Sequence, residues 1–280
     1  MLACLAVPPV ECAELKKETA AAFDRYIGAS ESRIKAELHN GPFLFIDDFP
    51  ETRRLEAYTQ LHKGSVLIEQ VNTKEQGHPV EVPHGLVHDW IGVLFIPNVS
   101  LSQALAVVQD YDNHRNIYKP EVRRSKLVSR SGDNFKVFLQ FYKESLVTVV
   151  INANFDINYE QLGPDRVVSR SYSTRLAEVQ NEGQPDEHEQ PVDDGHGFLW
   201  RLYSYWRFEQ KDGGVYVQLE SIGLSRGVPA VFAWLVNPLL RSIPRGTLSS
   251  LLIATRAALV KPDASALLAP SQFSAPSIRP

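Results

Sequence analysis

Along the chain, apolar positions recur first every three or four residues, then every second residue, then every three or four again. The first regime predicts a helical region over 14–38 with Leu15, Ala22, Tyr26, Ile34 and Leu38 on one stripe, interrupted at Gly28 into a hairpin or broken helix. A short strand over 43–46, a helix over 50–61 and a strand over 66–71 follow. The second regime opens with a strand over 87–97. A helix begins at Ser100, with Leu101, Ala104, Leu105 and Val108 on one face and Pro120 beyond it. Strands are then expected over 122–129, 135–143, 146–159, 166–179, 197–210 and 215–224, separated by turn residues such as Ser131-Gly132-Asp133 and Gly163-Pro164-Asp165. The last regime predicts helices over 228–240 and 244–260, carrying Phe232, Leu235, Leu239, Leu248, Leu251, Leu252 and Leu259. A disordered tail is expected over 262–280.

The most aromatic stretch is FLWRLYSYWRF, residues 198–208. Period two puts Phe198, Trp200, Leu202, Ser204, Trp206 and Phe208 on one face and Leu199, Arg201, Tyr203, Tyr205, Arg207 and Glu209 on the other. Asp212-Gly213-Gly214 makes this strand the first arm of a hairpin.

At 280 residues and 44% hydrophobic content, the chain can bury a large core. Its net charge of −4 argues against nucleic acid as a partner, because phosphate contact needs a basic surface. Its two cysteines, Cys4 and Cys12, precede the folded body, so thiol chemistry is excluded there. Residues 1–13 look like the remnant of a secretory signal, which sets the expectation of an exported or periplasmic protein, with a cytoplasmic one as the alternative. No stretch is long and apolar enough for a membrane span.

The order of strand, helix, six antiparallel strands and long C-terminal helix covers roughly residues 85–260. Its carriers are Trp90 through Pro97, Leu101 through Asp110, Tyr118-Lys119-Pro120-Glu121-Val122, the Trp206-Arg207-Phe208 hairpin with Asp212-Gly213-Gly214, and the closing helix. This order resembles the helix-grip fold of the START-related and polyketide-cyclase-like superfamily. The resemblance implies an α+β fold in which a curved antiparallel sheet of about seven strands wraps on the C-terminal helix. The helix-grip domain is expected over 83–261, with residues 14–82 as an N-terminal mixed subdomain leaning on it.

The resemblance also implies an apolar cavity between sheet and helix for a lipid or other hydrophobic small molecule. Its wall is expected from Val137, Leu139 and Phe141 on one strand, Val149, Ile151 and Phe155 on another, and Trp200, Trp206 and Phe208 on a third. Phe232 and Leu235 are expected from the helix, and Arg170 is the residue that could meet an acidic headgroup. Close packing of the same side chains with no void is the competing expectation.

Polar clusters offer little chemistry. His84 and His88, with His78 and Asp89 nearby, lie on a Pro-Gly-broken segment entering a strand, where positions four apart are about 13 Å from each other, so no metal is expected. The acidic run from Asp186 to His196 reads as a solvated loop. Asp112, His114 and Arg115 could supply an acid or base, but residues two apart on a helix do not face one another. The sequence has no phosphate loop, nucleophile elbow or dinucleotide fingerprint, and the resemblance implies a non-catalytic carrier without cofactor. The alternatives are a polyketide-cyclase-type enzyme and an interaction protein with a closed core.

Overall fold

A computed structural model of the chain describes residues 13–144, 148–227 and 230–260, and of 230–242 the backbone path alone. The expected N-terminal leader, apart from Ala13, and the expected C-terminal tail over 262–280 therefore lie outside the described residues.

Its centre is a nine-stranded antiparallel sheet. In chain order the main strands are β1 (Leu67–Gln70), β2 (Gly85–Pro97), β3 (Val122–Ser131), β4 (Asn134–Glu144), β5 (Thr148–Gln161), β6 (Arg166–Gln180), β7 (Arg201–Lys211) and β8 (Gly214–Arg226). They lie in the order β1-β2-β8-β7-β6-β5-β4-β3, and the short His188–Glu189 strand pairs with β6. Alternation built these strands, because each must bury one face. The order follows from successive hairpins, with β8 returning to pair with β2.

Five helices flank the sheet: α1 (Lys17–Asn40), α2 (Glu51–His62), α3 (Leu101–Val108), α4 (His114–Ile117) and α5 (Ala230–Leu259). Ser100 caps α3, its Oγ accepting from Gln103 N while Gln103 Oε1 accepts from Ser100 N. α3 and the C-terminal half of α5 pack on the inner face. There Leu101, Ala104, Val108, Leu248 and Leu252 join Leu94, Val137, Ile151, Phe155, Phe208, Val217 and Leu219 in one core. Gly92 lets α5 come close, since a Cβ there would sit 2.9 Å from Leu252 Cδ1.

α1 lies across the opposite, outer face, where Phe23, Tyr26, Ile27 and Ile34 pack with Tyr205, Ile222 and Leu224. Burying four such side chains contributes about 1.5–3 kcal/mol each. Beside it, Leu44, Ile46, Ala57 and Leu61 pack on Val93, Phe95 and Tyr216.

Three local expectations differ from the structure. α1 runs unbroken through Gly28, whose missing Cβ would meet nothing within 4 Å, so the glycine points outward and tertiary packing carries the helix past it. Phe45–Asp48 is a 3-10 turn in place of a strand, with Leu44 N donating to Asp47 Oδ2. The two helical pieces expected around Pro244 form the single helix α5.

Candidate functional site

Cross-strand register decides which side chains share the concave inner face. Val137 pairs with Phe155, Leu139 with Ala153, Phe141 with Ile151 and Lys143 with Val149. On the other side of β6, Phe208 pairs with Val167 and Val217, and Trp206 with Ser169 and Leu219. Val137, Ile151, Phe155 and Phe208 are buried in the inner core, while Leu139, Phe141, Val149 and Trp206 pack against it only half-buried. The Trp206 and Phe208 rings stack in parallel, with centroids 5.8 Å apart. Phe232 and Leu235 lie on α5, but their side chains are outside the described residues.

Two residues of the expected wall lie elsewhere. Trp200 is buried in the outer cluster with Tyr205, Ile222 and the α1 side chains. β7 becomes regular only at Arg201, and Trp200 itself lies on a bend, so the period-two alternation does not extend to it. A Cβ on Gly197 would meet the Trp200 ring at 3.1 Å, so the ring occupies the space that glycine leaves. Arg170 is opposite Tyr205 and Asn158 in register, hence on the outer face. It lines an open cleft of about 510 Å³ with Lys136, Asp156 and Tyr172 and reaches toward Glu160 at 3.9 Å, away from the concave side.

The far end of the inner face is closed by rings that share hydrogen bonds. The Tyr111 and Tyr159 hydroxyls are 2.9 Å apart, and both rings pack on Phe135 at 5.4 Å. His114 sits between Tyr111 and Tyr118, each 4.8 Å away, and its Nε2 donates to Val108 O at 3.1 Å. Burial holds this imidazole neutral by lowering its pKa to about 4. Asp112 takes no part in a dyad with it, because Asp112 Oδ1 accepts from Leu127 N. Tyr118 donates to Thr255 Oγ1 at 3.2 Å and so ties this floor to α5.

The near end is polar in a different way. On β2, His88 faces inward opposite Gly223, its Nε2 2.8 Å from Ser225 Oγ, and burial lowers its pKa to about 4. Asp89 next to it faces outward, so the His-rich entry to this strand does not converge. On β6, Glu178 is opposite Ile151 and buried, and it accepts from His196 N, His196 Nδ1 and Phe198 N. Across the middle, Ser221, Ser204 and Ser171 pair in one row. Sequence reasoning did not assign Tyr111, Tyr118, Tyr159, the serines or the Glu178–His196 pair to the site. Only the period-two side of each serine was available as a signal.

The strand order β2-β8-β7-β6-β5-β4-β3, the helical segment between β2 and β3, and a closing helix on the concave face now stand together. This is the helix-grip fold of the START and polyketide-cyclase-like proteins. No protein-family model and no curated protein matches the chain. Among solved structures, a STAR-related lipid transfer protein from Xanthomonas axonopodis is similar at 16% identity and TM-score 0.44, over 68% of this chain and 98% of its own. Human STARD10 is similar at 10% identity and TM-score 0.42, over 74% and 80%. The Zhui aromatase/cyclase from Streptomyces sp. R1128 stands at 10% and 0.42, over 62% and 94%. The helix-grip assignment rests on the strand order above.

Proposed function

We propose that the chain is a binding protein or carrier that holds a hydrophobic small molecule or lipid between the concave face and α5. The observation that carries this reading is the incomplete burial of apolar groups in the interior position. Leu139, Phe141, Val149, Leu202 and Trp206 all belong to the inner face, yet each keeps accessible surface, whereas Leu94, Phe208 and Val217 of the same face have none. Apolar surface left accessible on this face is what an apolar ligand would cover, at about 25 cal/mol per Å².

The test is native mass spectrometry of protein purified from its own host, followed by titration with apolar ligands of graded size and tryptophan fluorescence as the readout. A co-purifying apolar molecule, or saturable binding that grows with ligand size and changes little with salt, supports the reading. Absence of both overturns it in favour of a closed core.

The Glu178–His196 pair gives the enzyme alternative its specific support. With Nδ1 donating to a buried carboxylate, Nε2 is the nitrogen left to exchange a proton. Chemical change of a bound ligand that His196→Gln abolishes without loss of binding would establish that alternative.

A further inference from the structure

The middle of the concave face is built of hydroxyls where its neighbours are built of hydrocarbon. One row of the sheet reads Leu94, Val217, Phe208, Val167 across four strands. Two rows further along, the same four strands present Trp90, Ser221, Ser204 and Ser171, with Ser169 and Ser173 on either side of Ser171 along β6. Ser173 Oγ accepts from Leu202 N at 3.0 Å. The Ser171, Ser204 and Ser221 hydroxyls make no hydrogen bond with the described residues, and Ser171 is 7% exposed. Ser169 is 2% exposed and its Oγ is buried without a hydrogen-bond partner, while its cross-strand neighbour Tyr159 is engaged with Tyr111. The buried Ser169 hydroxyl costs free energy that alanine would not, while Ser204 and Ser221 are half-buried and keep their hydroxyls accessible to a bound molecule.

Charge on this face is arranged against an ionic ligand. Arg130 and Lys143 are the strand cations among the described residues that register places on the inner side, and both are at the rim. Arg130 lies over the Phe135 ring and donates to Gly132 O, and Lys143 is 3.9 Å from Glu121. The carboxylate on the same side, Glu178, already accepts three hydrogen bonds, so it does not call for a cation and would repel an anion.

We infer that the ligand is an uncharged, largely apolar molecule carrying a hydroxyl or carbonyl oxygen, and that this oxygen seats on the row formed by Ser171, Ser204 and Ser221. The inference rests on the binding function proposed above and adds the polarity of the ligand. Serine hydroxyls can donate to a carbonyl or exchange donor and acceptor roles with an alcohol, and neither group brings a charge that must be neutralised. A carboxylate or phosphate seated on this row would lose part of its hydration with no inner-face strand cation beside it among the described residues.

The experiment uses the full chain and four probes of equal carbon length: a long-chain alcohol, the corresponding methyl ketone, the corresponding fatty acid as its anion and the plain hydrocarbon. Binding is read by tryptophan fluorescence. The alcohol and ketone are expected to bind at least about tenfold tighter than the anion. Combining Ser171→Ala, Ser204→Ala and Ser221→Ala should bring the alcohol and ketone to within about twofold of a plain hydrocarbon of the same length. An anion bound as tightly as the alcohol, or an alcohol preference that survives the triple substitution, overturns the inference and leaves the binding function standing. Failure of every probe, hydrocarbon included, to saturate the signal overturns both. The wild-type comparison decides the matter even if the triple variant does not fold.

Discussion

The Tyr26 phenol donates a 2.8 Å hydrogen bond to Asp89 Oδ2, joining α1 to a carboxyl group on β2 that is only 1% exposed. Thr73 Oγ1 donates to the same oxygen at 3.4 Å and lies 2.9 Å from Ser30 Oγ, while Asp89 Oδ1 has no partner. On the neighbouring strand, Glu220 faces the same side and is paired with Arg33 of α1, which also bonds Glu37 at 2.9 Å. Arg207, 2% exposed, reaches Glu37 and donates to Phe43 O at 2.8 Å. α1 is therefore held by a buried polar layer as well as by its apolar stripe.

The first prediction concerns Asp89. Burial, and then the nearby Glu220, push its pKa well above the ordinary 3.8, so the folded chain keeps a proton that the unfolded chain has released. From about pH 4 upward, stability is lost as pH rises toward the folded value. Asp89→Asn keeps a neutral group of the same shape. It should flatten that decline, so that wild type and variant differ most at the alkaline end of a series of melting temperatures. A variant whose melting curve falls with pH as steeply as wild type would place the proton elsewhere.

His88 and His114 act with the opposite sign. Each unfolded imidazole binds its proton near 6.5, while the folded ones resist until about 4 because they are buried. Between those values the unfolded chain holds more protons, and stability falls as pH falls. Imidazole resonances of both residues followed by NMR should stay in the neutral form down to about pH 5. Titration of either ring near 6.5 in the folded chain would contradict this.

The two tryptophans of the aromatic strand should separate in a denaturation experiment. Trp200 is 5% exposed within a packed cluster, so Trp200→Ala should cost about 3–5 kcal/mol. Trp206 is half-buried, so Trp206→Ala should cost clearly less, at or below about 2 kcal/mol. Urea unfolding of both variants measures the pair. Equal losses would mean that Trp206 is ordinary core.

Gly197 leaves room for the Trp200 ring. At φ 75°, a Cβ would lie 2.7 Å from Arg226 Cβ and against the Trp200 ring. Gly197→Ala should therefore destabilise by about 1–3 kcal/mol and red-shift part of the tryptophan emission as Trp200 loosens. An alanine variant with unchanged stability and emission would show that the backbone there relaxes freely.

Period two located every long strand, and from Arg201 to Glu209 it assigned the two faces correctly because one register runs through that stretch. It failed at Trp200, which sits on a bend just before the regular strand begins at Arg201, and sequence parity does not show where regular pairing starts. Arg170 could not be assigned from its own strand. Its pairing with Tyr205 decides its side, and pairing is a long-range property. The serine row has the same origin, since each serine alone is a gap in an apolar alternation and only the register of β6, β7 and β8 aligns them. Asp89 and Glu220 read as ordinary strand charges until α1 covers them from a distant part of the sequence.

The two borders of the sheet are finished differently. Along β2, the four residues of β1 occupy the free backbone groups from Trp90 to Val93, and Val71 N continues the cover by donating to Asp89 O at 2.9 Å. Along β3, register shifts at Val122/Arg124 and Leu127/Ser129 break the straight line of donors and acceptors, and Arg123, Arg124, Lys126 and Arg130 crowd the border with positive charge. An incoming strand from a second molecule thus meets an edge strand of only four residues on one border and a kinked, cationic one on the other. A long, strand-rich chain of this kind is thereby protected from growing into a fibre by edge-to-edge addition.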